Sequence, residues 1–208
     1  MRFFIFTALA ALAVASPIVE VIERDGSRPN NADVKIEQVQ VFGTGCPYGT
    51  VEGQIAEDST LVALTFSSFV ASTGAGAKAT DARKSCNVRI TLKYPPGWSY
   101  TVATTTVRGY VQLPRYCSAK LSARYFFSGY ADDAECSIPF YGPADKNYVE
   151  QTAVDALVWS RCGAKGKDGP LFNVNTDARV TCDKNAALGV DTQDTKFEMK
   201  MHLQWKRC

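Results

Sequence analysis

Apolar and polar side chains alternate with a period of two through most of this chain after Val34, and no stretch sustains the stripe of an amphipathic helix. The clearest run is the last. Phe197, Met199, Met201, Leu203 and Trp205 fall on one side, against Lys196, Glu198, Lys200, His202, Gln204 and Lys206 on the other. A second run sets Val88, Ile90, Leu92 and Tyr94 against Asn87, Arg89, Thr91 and Lys93, and a third sets Phe172, Val174, Ala178 and Val180 against Asn173, Asn175, Asp177 and Arg179. Successive side chains of a strand point to opposite faces, so each run has one face to bury and one that tolerates water. Further strand-like runs cover residues 34–42, 61–70, 100–113, 121–127 and 148–159. Turn signals divide them, among them Pro95-Pro96-Gly97, Ser128-Gly129, Gly142-Pro143 and Asp168-Gly169-Pro170. Strands of this kind must cover one another's apolar faces. The expected fold is all-β, an antiparallel two-layer β-sandwich of jelly-roll-like order, formed by residues 34–208 as a single domain.

The N-terminus reads differently. Arg2 precedes an apolar run over residues 3–14, closed by the small residues Ala13, Val14 and Ala15, which is the pattern of a secretory signal peptide cut after Ala15. The run is about a dozen residues, short of the roughly 20 that a membrane span needs. Residues 16–33 hold Glu20, Glu23, Arg24, Asp25, Gly26, Arg28 and Pro29 with little apolar periodicity, and read as a flexible leader or short pro-segment. The product is expected outside the cell, with no membrane insertion.

Export makes disulfides the default state of the seven cysteines, at 46, 86, 117, 136, 162, 182 and 208. None are spaced as C-x-x-C, which argues against a zinc ribbon or a thioredoxin-type motif and for long-range staples. Strand phase points Cys86, Cys117, Cys136 and Cys182 inward, whereas Cys46, Cys162 and Cys208 sit in turns or at the end of the chain. Spacing alone leaves the connectivity open. The odd count leaves one thiol over, so a monomer is expected unless that thiol bridges two chains.

Composition narrows the chemistry. A net charge of +2 gives no bulk electrostatic basis for a nucleic-acid partner. One histidine excludes a multi-His metal site, and no G-x-S-x-G elbow accompanies it, so neither metal nor cofactor is expected. The glycine-rich stretch from Gly43 to Thr50 lacks the Lys-Ser/Thr of a phosphate loop and reads as a disulfide-tethered turn. Glycoside hydrolysis needs two carboxylates facing across a groove. Asp155 shares parity with Ala153, Leu157 and Trp159 and is expected to point inward; Glu135, beside Asp132 and Asp133, is the second candidate. The competing reading is a strand-end carboxylate bound to backbone. Tyr94, Trp98 and Tyr100 flank the Pro-Pro-Gly turn as a candidate binding surface, since flat rings stack on sugars and fill interfaces. Their competing role is core filling.

An ordered set of motifs adds to this reading: Gly43-Thr44-Gly45-Cys46-Pro47-Tyr48-Gly49-Thr50-Val51, Arg83-Lys84-Ser85-Cys86, Val107-Arg108-Gly109-Tyr110, Tyr125-Phe126-Phe127-Ser128-Gly129, Trp159-Ser160-Arg161-Cys162-Gly163 and Leu203-Gln204-Trp205-Lys206-Arg207-Cys208. Through them the chain from about Val34 onward resembles a secreted, mainly fungal family catalogued as domain of unknown function 4360. The resemblance implies export, a β-rich domain and disulfides, and carries no reaction with it. It implies the pairs Cys46 with Cys86, Cys162 with Cys208, and Cys117 with Cys136, leaving Cys182 as the free thiol. Arg161 stands where the family usually has Pro, which bears on the local turn. The function expected first is a non-enzymatic secreted module, effector-like, that binds cell-wall glycan or a host or partner protein. The alternatives are a carboxylate-based polysaccharide hydrolase or lyase, and a structural wall or coat component bridged through its odd cysteine.

Overall fold

A computed structural model describes residues 28–189 and 196–208. The expected signal peptide and residues 16–27 of the expected leader lie outside the described residues. Among the described residues twelve strands follow in chain order: β1 Lys35–Phe42, β2 Val51–Ile55, β3 Leu61–Phe66, β4 Val70–Thr73, β5 Arg83–Lys93, β6 Trp98–Leu113, β7 Ser118–Phe127, β8 Asp133–Tyr141, β9 Ala144–Ala153, β10 Phe172–Thr181, β11 Ala186–Gly189 and β12 Phe197–Arg207. Only two short 3₁₀ turns, Asn31–Asp33 and Ala79–Ala82, interrupt them among the described residues.

The strands form the expected antiparallel two-layer sandwich. One sheet runs β1-β5-β10-β7-β8, and the other β2-β3-β12-β6, with β6 as its spine. β12 and then β11 share one edge of β6, β4 continues beyond β11, and β9 lies along the opposite edge. Every pairing is antiparallel, so each strand keeps one face inward. The periodicity of β12 holds residue by residue: Phe197, Met199, Met201, Leu203 and Trp205 are all buried. Phe197 packs on Phe66 and Phe69 with ring centroids 5.4 and 5.3 Å apart, at the end where β12 begins. At the opposite end Tyr94, Tyr100, Phe127, Phe172 and Trp205 form a second aromatic cluster.

One expectation about the strands is corrected. The run over 148–159 is not one strand, because β9 occupies Ala144–Ala153 and the chain then leaves the sheet. Val154 N–H donates to Ala103 O at 3.1 Å, Ser160 N–H to Tyr100 O at 2.8 Å and Gly163 N–H to Trp98 O at 2.8 Å, so this segment crosses the end of the sandwich over the start of β6. The acidic turn that begins at Asp132 leads into a full strand, β8, which tolerates Pro139 because it is the edge of its sheet.

Disulfides join Cys46 to Cys86, Cys162 to Cys208, and Cys117 to Cys182. The Cys117–Cys136 pair is therefore corrected, and the free thiol is Cys136 rather than Cys182. Register supplies the reason. β10 ends with Thr181 opposite Ser118, so the next residue on each side, Cys182 and Cys117, meet directly. Cys136 lies opposite Ala123, far along β7 from Cys117, and sits half-buried against Tyr125.

Candidate functional site

The segment that crosses the end of the sandwich is held by buried groups. Ser160 is buried, and its Oγ accepts from Tyr100 N–H at 3.0 Å and from the Tyr94 hydroxyl at 3.1 Å. Its carbonyl accepts from Ser99 Oγ at 2.7 Å, and the Tyr94 hydroxyl also reaches Arg161 O at 2.6 Å. These bonds fix the position of Trp159, one residue earlier. The Cys162–Cys208 bond brings the end of β12 alongside, and Lys206 Nζ stands 4.1 Å from the centre of the Trp159 ring. Across from this segment, the β7–β8 turn closes through Tyr130 N–H to Phe127 O at 3.1 Å, with Gly129 at φ +85°, a conformation suited to glycine. Between the two lies a groove of about 520 Å³ lined by Tyr130, Asp132, Asp133, Leu157 and Trp159. Arg161 covers the Tyr130 ring at 5.3 Å, and Arg124 pairs with Asp133.

The aromatic trio singled out from the sequence does not form this surface. Tyr94, Trp98 and Tyr100 are 4%, 4% and 1% exposed. Tyr94 meets Tyr100 edge-on at 5.2 Å, and burial pushes the ionisation of both hydroxyls up. Trp98 is capped by the Arg207 guanidinium at 4.0 Å. The trio is core, and Tyr94 and Tyr100 position the segment that carries Trp159.

Asp155 is also corrected. It is exposed, because β9 has ended before it and strand parity no longer sets its direction. Its Oδ1 accepts from Glu135 N–H at 2.6 Å, and its own N–H donates to Glu135 O at 2.9 Å, a two-point clasp between β8 and the departing chain. The Glu135 carboxylate turns instead toward Arg124, 3.7 Å away. The two acids are thus neighbours bound through backbone, not a pair facing across a groove. His202 is bound to Thr106 Oγ1 at 3.0 Å on the outer face of the second sheet. Among the described residues, the one cluster of metal-ligating types is Cys117, Cys182 and Asp183, and its two sulfurs are bonded to each other, which leaves a single carboxylate.

Sequence reasoning passed over Trp159 as a binding residue and gave Tyr130 no more weight than the other tyrosines of the middle third. The available signal was Trp159 next to Ser160-Arg161-Cys162, a ring tethered one turn from a staple. It also passed over Tyr48, which is 100% exposed, whereas Tyr116 and Tyr141, two tyrosines of that middle third, are 90% and 73% exposed.

Fold, staples and an end groove define a disulfide-bonded β-sandwich of the extracellular type. The chain belongs to the family described as Domain of unknown function (DUF4360), whose model matches residues 32–208. A relative in Arthroderma benhamiae, described as an uncharacterized secreted protein, is 34% identical over 188 residues, which is 88% of this chain and 75% of that protein. This protein is likewise secreted. Among solved structures, TmCBM61 in complex with beta-1,4-galactotriose matches at a TM-score of 0.35 and 9% identity, over 88% of this chain and 100% of that chain, a likeness too slight to bear on function. No helix among the described residues is long and apolar enough to cross a membrane.

Proposed function

We propose that this protein is a non-enzymatic glycan-binding module that acts outside the cell and holds a short stretch of polysaccharide in the groove between Tyr130 and Trp159. The observation that carries the reading is the lining itself: two aromatic rings and the carboxylates of Asp132 and Asp133 share one groove. Its volume of about 520 Å³ lies inside the roughly 300–1,000 Å³ of small-ligand sites. A pyranose offers an apolar face of C–H groups and a rim of hydroxyls. Aromatic rings suit the first, and ionised carboxylates, which only accept hydrogen bonds, suit the second. Among the described residues Asp132 has no ion-pair partner, so its oxygens are available to hydroxyl donors, while Asp133 is fixed by Arg124. A hydrolytic reading is less favoured, because Asp155 already spends one oxygen on the Glu135 backbone.

The test is calorimetric titration of the oxidised, secreted protein with chitin, β-glucan, cellulose and xylan oligomers, all uncharged, with products followed by mass spectrometry. Retention without cleavage is expected. Trp159→Ala should weaken binding at least about tenfold, equivalent to about 1.4 kcal/mol. Indifference to every oligomer, or wild-type affinity in Trp159→Ala, overturns the proposal, and cleavage replaces it with an enzyme.

A further inference from the structure

A line of three cations crosses the outer face of the first sheet. Arg83 on β5 is the cross-strand partner of Arg179 on β10, and Arg179 is in turn the partner of Lys120 on β7. All three are exposed. Neighbouring strands lie about 4.8 Å apart, so the three side chains leave the sheet at about that spacing, across roughly 10 Å. Like charges placed directly opposite one another destabilise a sheet. One carboxylate answers them: Asp177 Oδ2 lies 2.6 Å from Arg83 Nε. Among the described residues, Arg179 and Lys120 have no acidic partner.

The surroundings of the line are equally specific. Ser85, Ser122 and Ser137 occupy the adjacent row with Asp177, so the face there is low and hydroxylated. Pro139, the partner of Lys120, continues the line to the sheet edge. One row beyond, on the same face of β8, stands Tyr141, opposite Ser118 and well exposed.

We infer that this face is a docking surface for a linear acidic polysaccharide that carries one carboxylate per sugar ring. The charge line complements a regularly spaced row of carboxylates, the serine row offers hydroxyl partners, and Tyr141 supplies a flat ring at the end of the track. An anionic membrane fits less well, because interfacial binding needs an apolar face to bury, and this one is paved with small hydroxyls. The site lies on the open sheet face, apart from the end groove, and does not rest on the groove reading.

The test titrates the oxidised protein with oligogalacturonates of increasing length and with their methyl-esterified counterparts. Binding is expected only for the charged oligomers, to strengthen up to at least three rings, and to weaken with salt as exposed charges are screened. Arg179→Gln and Lys120→Gln should each lower affinity up to about fivefold, the scale of an exposed ion pair, while Trp159→Ala leaves it unchanged. Removing a like-charge neighbour predicts that Arg179→Gln melts at or above the wild-type temperature. Equal binding of esterified oligomers, wild-type affinity in both variants, or retention only by phosphatidylserine vesicles overturns the inference. A loss of binding that tracks a lowered melting temperature overturns it as well.

Discussion

Replacing Cys117 and Cys182 together by alanine tests the register that joins β7 to β10. Their bond spans a sequence separation of 65 residues, and the chain-entropy model gives about 4 kcal/mol for a loop of that size. The loop overlaps that of Cys162–Cys208, which already restricts the unfolded chain over residues 162–182, so a loss of roughly 3 kcal/mol is expected. Urea unfolding of the oxidised proteins measures it directly. The single variant Cys182→Ala is the sharper experiment, because it leaves Cys117 and Cys136 both reduced. Cys136 faces Ala123, six residues along β7 from Cys117. At about 3.3 Å per residue that is roughly 20 Å, whereas bonded cysteines have Cα atoms no more than about 6.8 Å apart. The variant should therefore show two thiols on denaturation and a stability loss close to that of the double variant. In the wild type one thiol should appear, slow to react while folded, since Cys136 is half-buried and burial pushes its ionisation up. A wild-type peptide map containing Cys117–Cys136, a Cys182→Ala protein without thiols, or a loss below about 1 kcal/mol would rule out this pairing of β7 with β10.

Two further outcomes follow from packing and burial. Burial holds the hydroxyls of Tyr100, Tyr125 and Tyr148 neutral well above their ordinary value of 10.0. Below pH 10 both folded and unfolded chains keep these protons; above it only the unfolded chain sheds them, so stability falls as pH rises into the strongly alkaline range. Tyrosine absorbance and circular dichroism should show these rings ionising only as the fold is lost, and their ionisation with intact dichroism would contradict the assignment. Gly109→Ala would place a Cβ 2.9 Å from the hydroxyl of Tyr148, its cross-strand partner, and against Gly189 O. A loss of about 2–3 kcal/mol, in the range of overpacking, is expected from thermal melts, and an unchanged melting temperature would show that the β6–β9 packing is misread.

The parts of the fold that were legible are those that periodicity encodes. β5, β10 and β12 alternate cleanly in the sequence and are buried on the expected side, with Asn173 the exception, buried because its amide donates to Ser128 Oγ at 2.9 Å and Leu171 O at 3.2 Å. β2 and β11 are five and four residues long and carry glycine, too short for a period to register. Periodicity also says nothing about which strand lies beside which. The pairing of Cys117 depends on β10 lying next to β7, a long-range fact, and for that reason parity placed Cys182 and Cys136 alike without telling which one bonds.

The candidate site lies away from the expected residues for a related reason. Aromatic residues around a Pro-Pro-Gly turn resemble a solvent-facing tip when the turn is viewed alone. Here Gly97 N–H donates to Gly163 O at 3.2 Å and Cys208 N–H to Gly97 O at 3.1 Å, so the turn lies beneath the segment that the Cys162–Cys208 bond draws across it. Covering the turn buries Tyr94, Trp98 and Tyr100 and turns Trp159 outward on the cover. The rings nearest the strand ends therefore serve the core, and the surface chemistry passes to a connecting segment pinned at Ser160 and Cys162. A segment held at those points can change the residues that face its groove without disturbing strand register, which is the arrangement expected where a fixed scaffold carries a variable binding site.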